Sequence, residues 1–442
     1  MAVPPPDSSH SSAARKPSHP TIVAHRGKPS AASSRRRVLN FAALVAAFMV
    51  FASLINSVGV IILQSIRTQN ITKAQAGALQ PFVDMPTAFS SILIGSVLPS
   101  LGLRRAMLAT LALAIAACVS MPLFPHLWVS KLHLVIVGIS FAATKVAVYT
   151  AIGTLTNSKR KHAALMSTVE GLFMFGILGG YWIFGSFSES TTRPKLSWLD
   201  AYWIFAALLG AAMLLLWRNP IHEQEPMQGA RVGIRHELLF LARLALKPLI
   251  FTYAITDVVY VFLEQAVGAW LPTFNAEIMH LPASISIELS SEFSLSLAVG
   301  GLLGGAVLRR FRWFSVLSFC LAGIAAVVVI VLPLARHAPS GTIHTLADLS
   351  GVAFLFPAVG VFLGPINPAI NSAVLSSLPQ EHHSAMAGLI VVFSAIGGTT
   401  GALITGFLFQ ARGIDAFYLL LVPVVLLGVA LAVFRTAVQQ MP

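Results

Sequence analysis

Asp257, Tyr260 and Glu264 stand at i, i+3 and i+7 in an apolar stretch, so a helix would carry two carboxyls and a phenol on one face. Gln265 and Trp270 follow at the far end of the same stretch. A carboxyl in apolar surroundings can take up and release a proton, and an ionisable group placed there marks a functional site by default. Asp84, Lys145 and Glu170 lie in comparable surroundings elsewhere in the chain. Glu264 is the first choice for handling a proton, with Asp84 second and Glu170 and Asp257 completing the set. Lys145 shares a face with Tyr149, and it either pairs with Asp84 or Glu170 or holds an anionic group. Asn56 and Gln64 add amides to the first apolar run, and Asn367 and Asn371 lie one turn apart beside Pro365 and Pro368. Paired amides both donate and accept, which suits a hydroxyl-rich ligand. The indole of Trp270 can stack on a sugar ring or anchor at an interface.

The elements that hold these groups follow from composition. Of the 442 residues, 56% are hydrophobic and only 10% charged, against roughly a quarter charged in soluble domains. The apolar runs recur at lengths near 20 residues, which a helix needs to cross about 30 Å of hydrocarbon. Without water, backbone groups must be satisfied inside each segment, and runs this long are helices rather than barrel strands. The fold class is an all-α membrane protein with twelve transmembrane helices. The spans are predicted over about 38 to 64, 76 to 98, 105 to 125, 132 to 156, 163 to 186 and 199 to 217, then 248 to 272, 287 to 308, 314 to 334, 347 to 377, 383 to 410 and 415 to 434. Residues 1–37 are rich in Pro, Ser and basic side chains and read as a disordered tail. Residues 38–217 form one six-helix bundle, 218–247 a linker, 248–434 a second bundle and 435–442 a short tail. Within the linker, residues 236 to 246 read as a short amphipathic surface helix.

Lys and Arg divide 21 to 7 between the side of the N-terminus and the opposite side, with Lys145 in mid-span. The positive side is cytoplasmic, which predicts an inner-membrane, multi-pass protein with both termini and the linker in the cytoplasm. The net charge of +13 is therefore an orientation signal, and no nucleic-acid partner is expected. Cys118 and Cys320 both fall inside spans, where packing explains them.

The halves repeat. Gly95 to Arg105 after span 2 matches Gly305 to Arg312 after span 8 at an offset of 210, and Asn56 and Gly59 match Gln265 and Gly268 at 209. His162 to Met166 lies over His383 to Ala387, and Gly176 and Gly180 over Gly397 and Gly401, at 221. With Gly95, Leu98, Gly102, Arg104 and Arg105 in the loop after span 2, the chain resembles the major facilitator superfamily, although Pro99 stands where an aspartate is usual. The polar span 1, the acidic span 2, Glu264-Gln265 and Gly364-Pro365-Ile366-Asn367-Pro368 look most like proton-coupled sugar symporters of the fucose type. The resemblance implies two pseudo-symmetric six-helix bundles with spans 1, 4, 7 and 10 around a central cavity.

No Walker-type loop, zinc-ligand spacing or nucleophile elbow occurs, so neither an enzyme nor a cofactor is expected. The leading expectation is a secondary transporter that takes up a small polar solute such as a sugar, coupled to protons, acting as a monomer in the lipid bilayer. The alternatives are a proton-coupled exporter of drugs or metabolites, and a transporter-like sensor. Drug antiporters of the superfamily usually follow the span 5 glycine with proline; here Gly180 is followed by Tyr181.

Overall fold

The computed structural model describes residues 31–101, 103–155, 159–189, 197–218, 234–336, 345–379 and 382–440. Gly102, most of the predicted N-terminal tail and residues 219–233 of the linker lie outside them.

The described chain is a succession of helices whose lengths match a bilayer. Span 1 is a bent pair, Ala31–Ile55 and Val58–Gln69. Spans 2 to 6 are Pro81–Leu101, Leu103–Leu123, Leu127–Leu155, Lys159–Phe187 and Ala201–Arg218. The linker helix is Ile234–Ala245. Span 7 is Pro248–Gly268 and continues as Leu271–Glu277, followed by span 8, Ala283–Val307, and span 9, Trp313–Arg336. Span 10 is built from Gly351–Leu355, Pro357–Val359, Gly360–Leu363 and Ile366–Ser376, span 11 is His383–Arg412, and span 12 is Asp415–Tyr418 with Leu421–Gln439. Among the described residues, ten continuous stretches and the bent span 1 are long and apolar enough to cross a membrane. The 21-residue helix of span 2 completes twelve.

Local chemistry explains where these helices depart from the predicted runs. Span 1 bends by 43° between its legs, where the Asn56 amide donates to the Ala52 carbonyl at 2.9 Å and the Ser57 hydroxyl to Leu54 at 2.7 Å. Side chains that bond local carbonyls compete with the helix ladder and bend it. Span 2 starts at Pro81 rather than 76, because Lys73–Gly77 forms a separate turn. Its capping box is reciprocal: Gln75 N–H donates to Thr72 Oγ1 at 3.2 Å, and Thr72 N–H to Gln75 Oε1 at 3.1 Å. Span 10, predicted as one run, breaks at Pro357 and Pro365, since proline has no N–H and clashes with the preceding turn. The last helix passes the predicted end at 434 and runs to Gln439, and the first begins at Ala31, inside the predicted tail.

The repeat is visible in the packing. Span 5 closes on span 1 where a Cβ on Gly176 or Gly180 would strike Met49 or Ser53. Span 11 closes on span 7 where a Cβ on Gly397 or Gly401 would strike Val258 or Phe262. Met49 and Ser53 precede Val258 and Phe262 by 209 positions, while the glycine pairs differ by 221. The same two-turn small-residue contact is thus made twice, as close backbone approach in a membrane requires. Between the halves, span 5 packs on span 8 and span 2 on span 11, which is one pairing seen twice under the repeat. Cys118 and Cys320 are free thiols buried in their bundles.

Candidate functional site

A cavity of about 310 Å³ lies between the two halves. The first half lines it with Asn56 and Gly59 near the bend, Gln80 and Asp84 of the span 2 entrance, Phe141 of span 4, and Phe173 and Tyr181 of span 5. The second half supplies Glu264, Gln265 and Gly268 from span 7 and Phe293 and Ser294 from span 8. Asn56 faces it because the bend turns its side chain back on its own helix, and Tyr181 fixes the corner by donating to the Asn56 carbonyl at 3.4 Å.

Asp84 joins the halves. Gln80 Nε2, one turn earlier, donates to its Oδ1 at 3.0 Å, and Thr399 of span 11 donates to Oδ2 at 3.3 Å. Gly398 leaves room for this carboxylate, since a Cβ there would lie 2.7 Å from Oδ2. Tyr260 stands one turn before Glu264 on the same helical face. The site therefore presents one carboxyl from each half, amides from Asn56, Gln80 and Gln265, and aromatic faces, and among the described residues no Lys, Arg or His lines it. Such a wall attracts cations and, through its rings, organic ones.

Several sequence-predicted residues lie elsewhere. Span 10 contributes no lining residue to this cavity, because its amides are used inside the second half. Tyr253 donates to Asn371 Oδ1, and Asn371 Nδ2 donates to Asn367 Oδ1. Asp257 is fully buried, with Ser394 of span 11 donating to Oδ2 at 2.9 Å. Gln64 donates to Ser188 Oγ at 2.9 Å and ties span 1 to span 5. Tyr149 donates to Glu170. Lys145 makes no ion pair within 4.0 Å with Asp84 or Glu170; its ammonium stands over the Tyr149 and Phe141 rings, 5.7 and 5.9 Å from their centroids, within the electrostatic reach of Glu170. Tyr149 occupies one oxygen of the Glu170 carboxylate.

Trp270 is neither a stacking platform nor an interfacial anchor. It is fully buried, donates from Nε1 to the Ala402 carbonyl at 2.9 Å, and fills space left by Gly77 and Gly406. It belongs to a seal where the halves meet at the ends of spans 1 and 7. There Lys73 Nζ lies 2.7 Å from Glu277 Oε2 and 4.6 Å from the Phe409 ring centroid. Gln410 Oε1 accepts from the Ala74 N–H at 3.0 Å, satisfying one open donor of the capped turn.

Sequence reasoning missed Gln80, Thr399 and Ser394, which are neutral and stand out only beside the acids they bond, and Tyr253, which bonds Asn371. Tyr253 was within reach, one turn before Asp257 on the same face. It also missed Glu288 of span 8, which presses its side chain against Gly185 of span 5 at the junction of the halves.

The Major Facilitator Superfamily family model matches residues 39–398. The chain belongs to the Major Facilitator Superfamily. It is a multi-pass membrane transporter and not an enzyme. The multidrug efflux pump Tap of Mycolicibacterium fortuitum is 25% identical over 284 residues, which span 62% of this chain and 64% of that protein, just under two thirds of its length. Tap of Mycobacterium tuberculosis (strain ATCC 25618 / H37Rv) is 24% identical over 374 residues, 80% of this chain and 83% of that one. Among solved structures, the nucleoside transporter NupG superposes with a TM-score of 0.69 at 14% identity, covering 92% of this chain and 100% of that one. A bacterial homologue of the human lysosomal transporter Spinster, inward-facing and unoccupied, gives 0.64 at 13% identity, over 94% and 98%.

Proposed function

We propose that the protein is a proton-driven exporter of amphipathic organic cations working by alternating access. The observation that carries this reading is the pairing of Asp84 and Glu264, one from each half, in a cavity whose remaining walls are amides and aromatic rings. A cation satisfies the carboxyls while its apolar body covers Phe141, Phe173 and Phe293, and a proton can replace it on either carboxyl. Asn56 and Gln265 contact the solute and Glu264 and Asp84 exchange the proton in this scheme. The names of the efflux-pump relatives agree with it. We place the protein in the inner membrane as a monomer, with both termini and the 218–247 linker cytoplasmic, on the charge division of 21 to 7, and we retain 38–217 and 248–434 as its two units.

The test is efflux of ethidium in proteoliposomes under an imposed proton gradient. Gradient-dependent ethidium movement that collapses with an uncoupler is expected; movement indifferent to the gradient would overturn the proton coupling. A second reading, uptake of a small polar solute such as a sugar, is favoured by the amides of Asn56, Gln80 and Gln265 and the hydroxyl of Ser294 in the same cavity. Fucose counterflow in the same vesicles, with no ethidium movement, would select it, and binding without exchange would indicate a sensor.

A further inference from the structure

Away from the cavity, Asp257 sits fully buried at the contact of spans 7 and 11. Ser394 donates to Oδ2, and among the described residues no donor reaches Oδ1. The groups facing it bring no positive charge. Its own helix offers Tyr253 and Glu264, span 11 offers Ser394, span 10 acts through Asn371 on Tyr253, and span 12 sets the Phe434 ring edge-on to Tyr253 at 6.0 Å. Arg243 of the linker helix and Lys247 are exposed, and Arg435 of span 12, next to Phe434, lies over the Phe314 ring, 4.6 Å from its centroid. An ionised carboxylate buried without a counter-charge costs several kcal/mol.

The direction of the hydrogen bonds narrows the choice. The single Tyr253 proton is committed to Asn371 Oδ1, and the Asn371 amide to Asn367 Oδ1. Only lone pairs of the Tyr253 oxygen remain to face Asp257, and these repel a carboxylate but accept from a carboxylic acid. Oδ2 is occupied as an acceptor, so Oδ1 is the oxygen left to carry hydrogen.

We propose that Asp257 is a proton site separate from the solute cavity, and that its protonation sets the direction of the Tyr253 hydroxyl and thereby the hold of span 7 on the lower leg of span 10. The inference rests on the reading of the chain as a proton-coupled carrier. In the protonated state Oδ1–H donates to Tyr253, and Tyr253 donates to Asn371. When Oδ1–H gives its proton to water, the Tyr253 hydroxyl turns, breaking its bond to Asn371 and forming one to Oδ1. One proton leaves, the Asp257–Tyr253 hydrogen bond reverses its direction, and the Tyr253–Asn371 bond is lost. The freed Asn371 lies on Ile366–Ser376, a leg already separated from the rest of span 10 by Pro365, so it can shift without straining a continuous helix. A proton bound here does not compete for Asp84 or Glu264, so proton and solute meet through helix movement.

The test begins without any solute or gradient. Infrared spectra of the purified protein in lipid vesicles are recorded across pH for wild type, Asp257→Asn and Tyr253→Phe. The wild type should show a carboxylic-acid C=O band that fades with rising pH. Asp257→Asn should remove it, and Tyr253→Phe should move it to higher frequency because the acid loses its acceptor. A spectrum unchanged by Asp257→Asn at every pH would overturn the proposal, as would a band unmoved in Tyr253→Phe. Loss of the band on adding NaCl at fixed pH would replace the proton with sodium. If Asp257→Asn fails to fold, Tyr253→Phe carries the decision. In transport, Asp257→Asn should lose gradient-driven ethidium efflux while keeping ethidium exchange; full gradient-driven efflux would overturn the coupling role. Absence of ethidium movement in the wild type would count against the proposed solute, and the infrared result would still decide the proton site.

Discussion

The Lys73–Glu277 pair should hold the two halves closed at the end where spans 1 and 7 finish, and neutralising it should open that end. Lys73 stands on the capped turn after span 1 and Glu277 on the continuation of span 7, so the contact exists only while these ends are together. The side chains are 22% and 34% exposed, which keeps the pair near the surface scale of about 0.2–1 kcal/mol. The ammonium also loses its place over Phe409, worth about 0.5–1 kcal/mol. Together, about 0.7 to 2 kcal/mol should shift the population of the open state roughly three- to thirtyfold. The assay is the labelling rate of a cysteine placed at Ser294 in the cavity, using a membrane-impermeant maleimide applied from each side. Lys73→Gln should raise the rate from the Glu277 side and lower it from the other, and about 1 M salt should erase part of the difference. A double-mutant cycle with Glu277→Gln isolates the ion pair, because only the shared contact is non-additive. Unchanged labelling in Lys73→Gln, or zero coupling in the cycle, would refute the reasoning.

Other expectations follow from the same contacts. Gly180→Ala and Gly401→Ala each force a Cβ into a neighbouring helix and should cost about 1–3 kcal/mol by overpacking, whereas Gly171→Ala, on the same helix as Gly180 with nothing within 4 Å, should leave the thermal unfolding midpoint unchanged or slightly raised. Trp270→Phe removes the bond to Ala402 but keeps most of the bulk, so it should lower thermal stability by about 1–3 kcal/mol; a wild-type melting curve would show that the bond contributes nothing. Glu264→Gln keeps the shape and removes the titrating group, so solute exchange should persist while accumulation driven by a proton gradient is lost, measured in the same vesicles. If that variant still concentrates solute, Asp84→Asn is the next to be measured.

The membrane setting, the number of spans and the twofold repeat were legible in the chain because they depend on segment length, apolar content and residue spacing. The glycines of spans 5 and 11 are the clearest case: their match at 221, against 209 for the residues they touch, is a property of the string that reappears as a contact. What the string could not contain is the rotation of each helix about its own axis and the meeting of residues hundreds of positions apart. Asp84 gains meaning from Thr399, and Trp270 from Gly77 and Ala402, neither of which has a signature of its own. Asn367 and Asn371 looked like ligand amides until Tyr253 claimed them, and Lys145 lies over the Phe141 and Tyr149 rings within reach of Glu170 rather than in direct contact with a carboxylate. Spacing along one helix places side chains on a face; which face meets water, a cavity or another helix is decided by packing between helices, where one close contact excludes another.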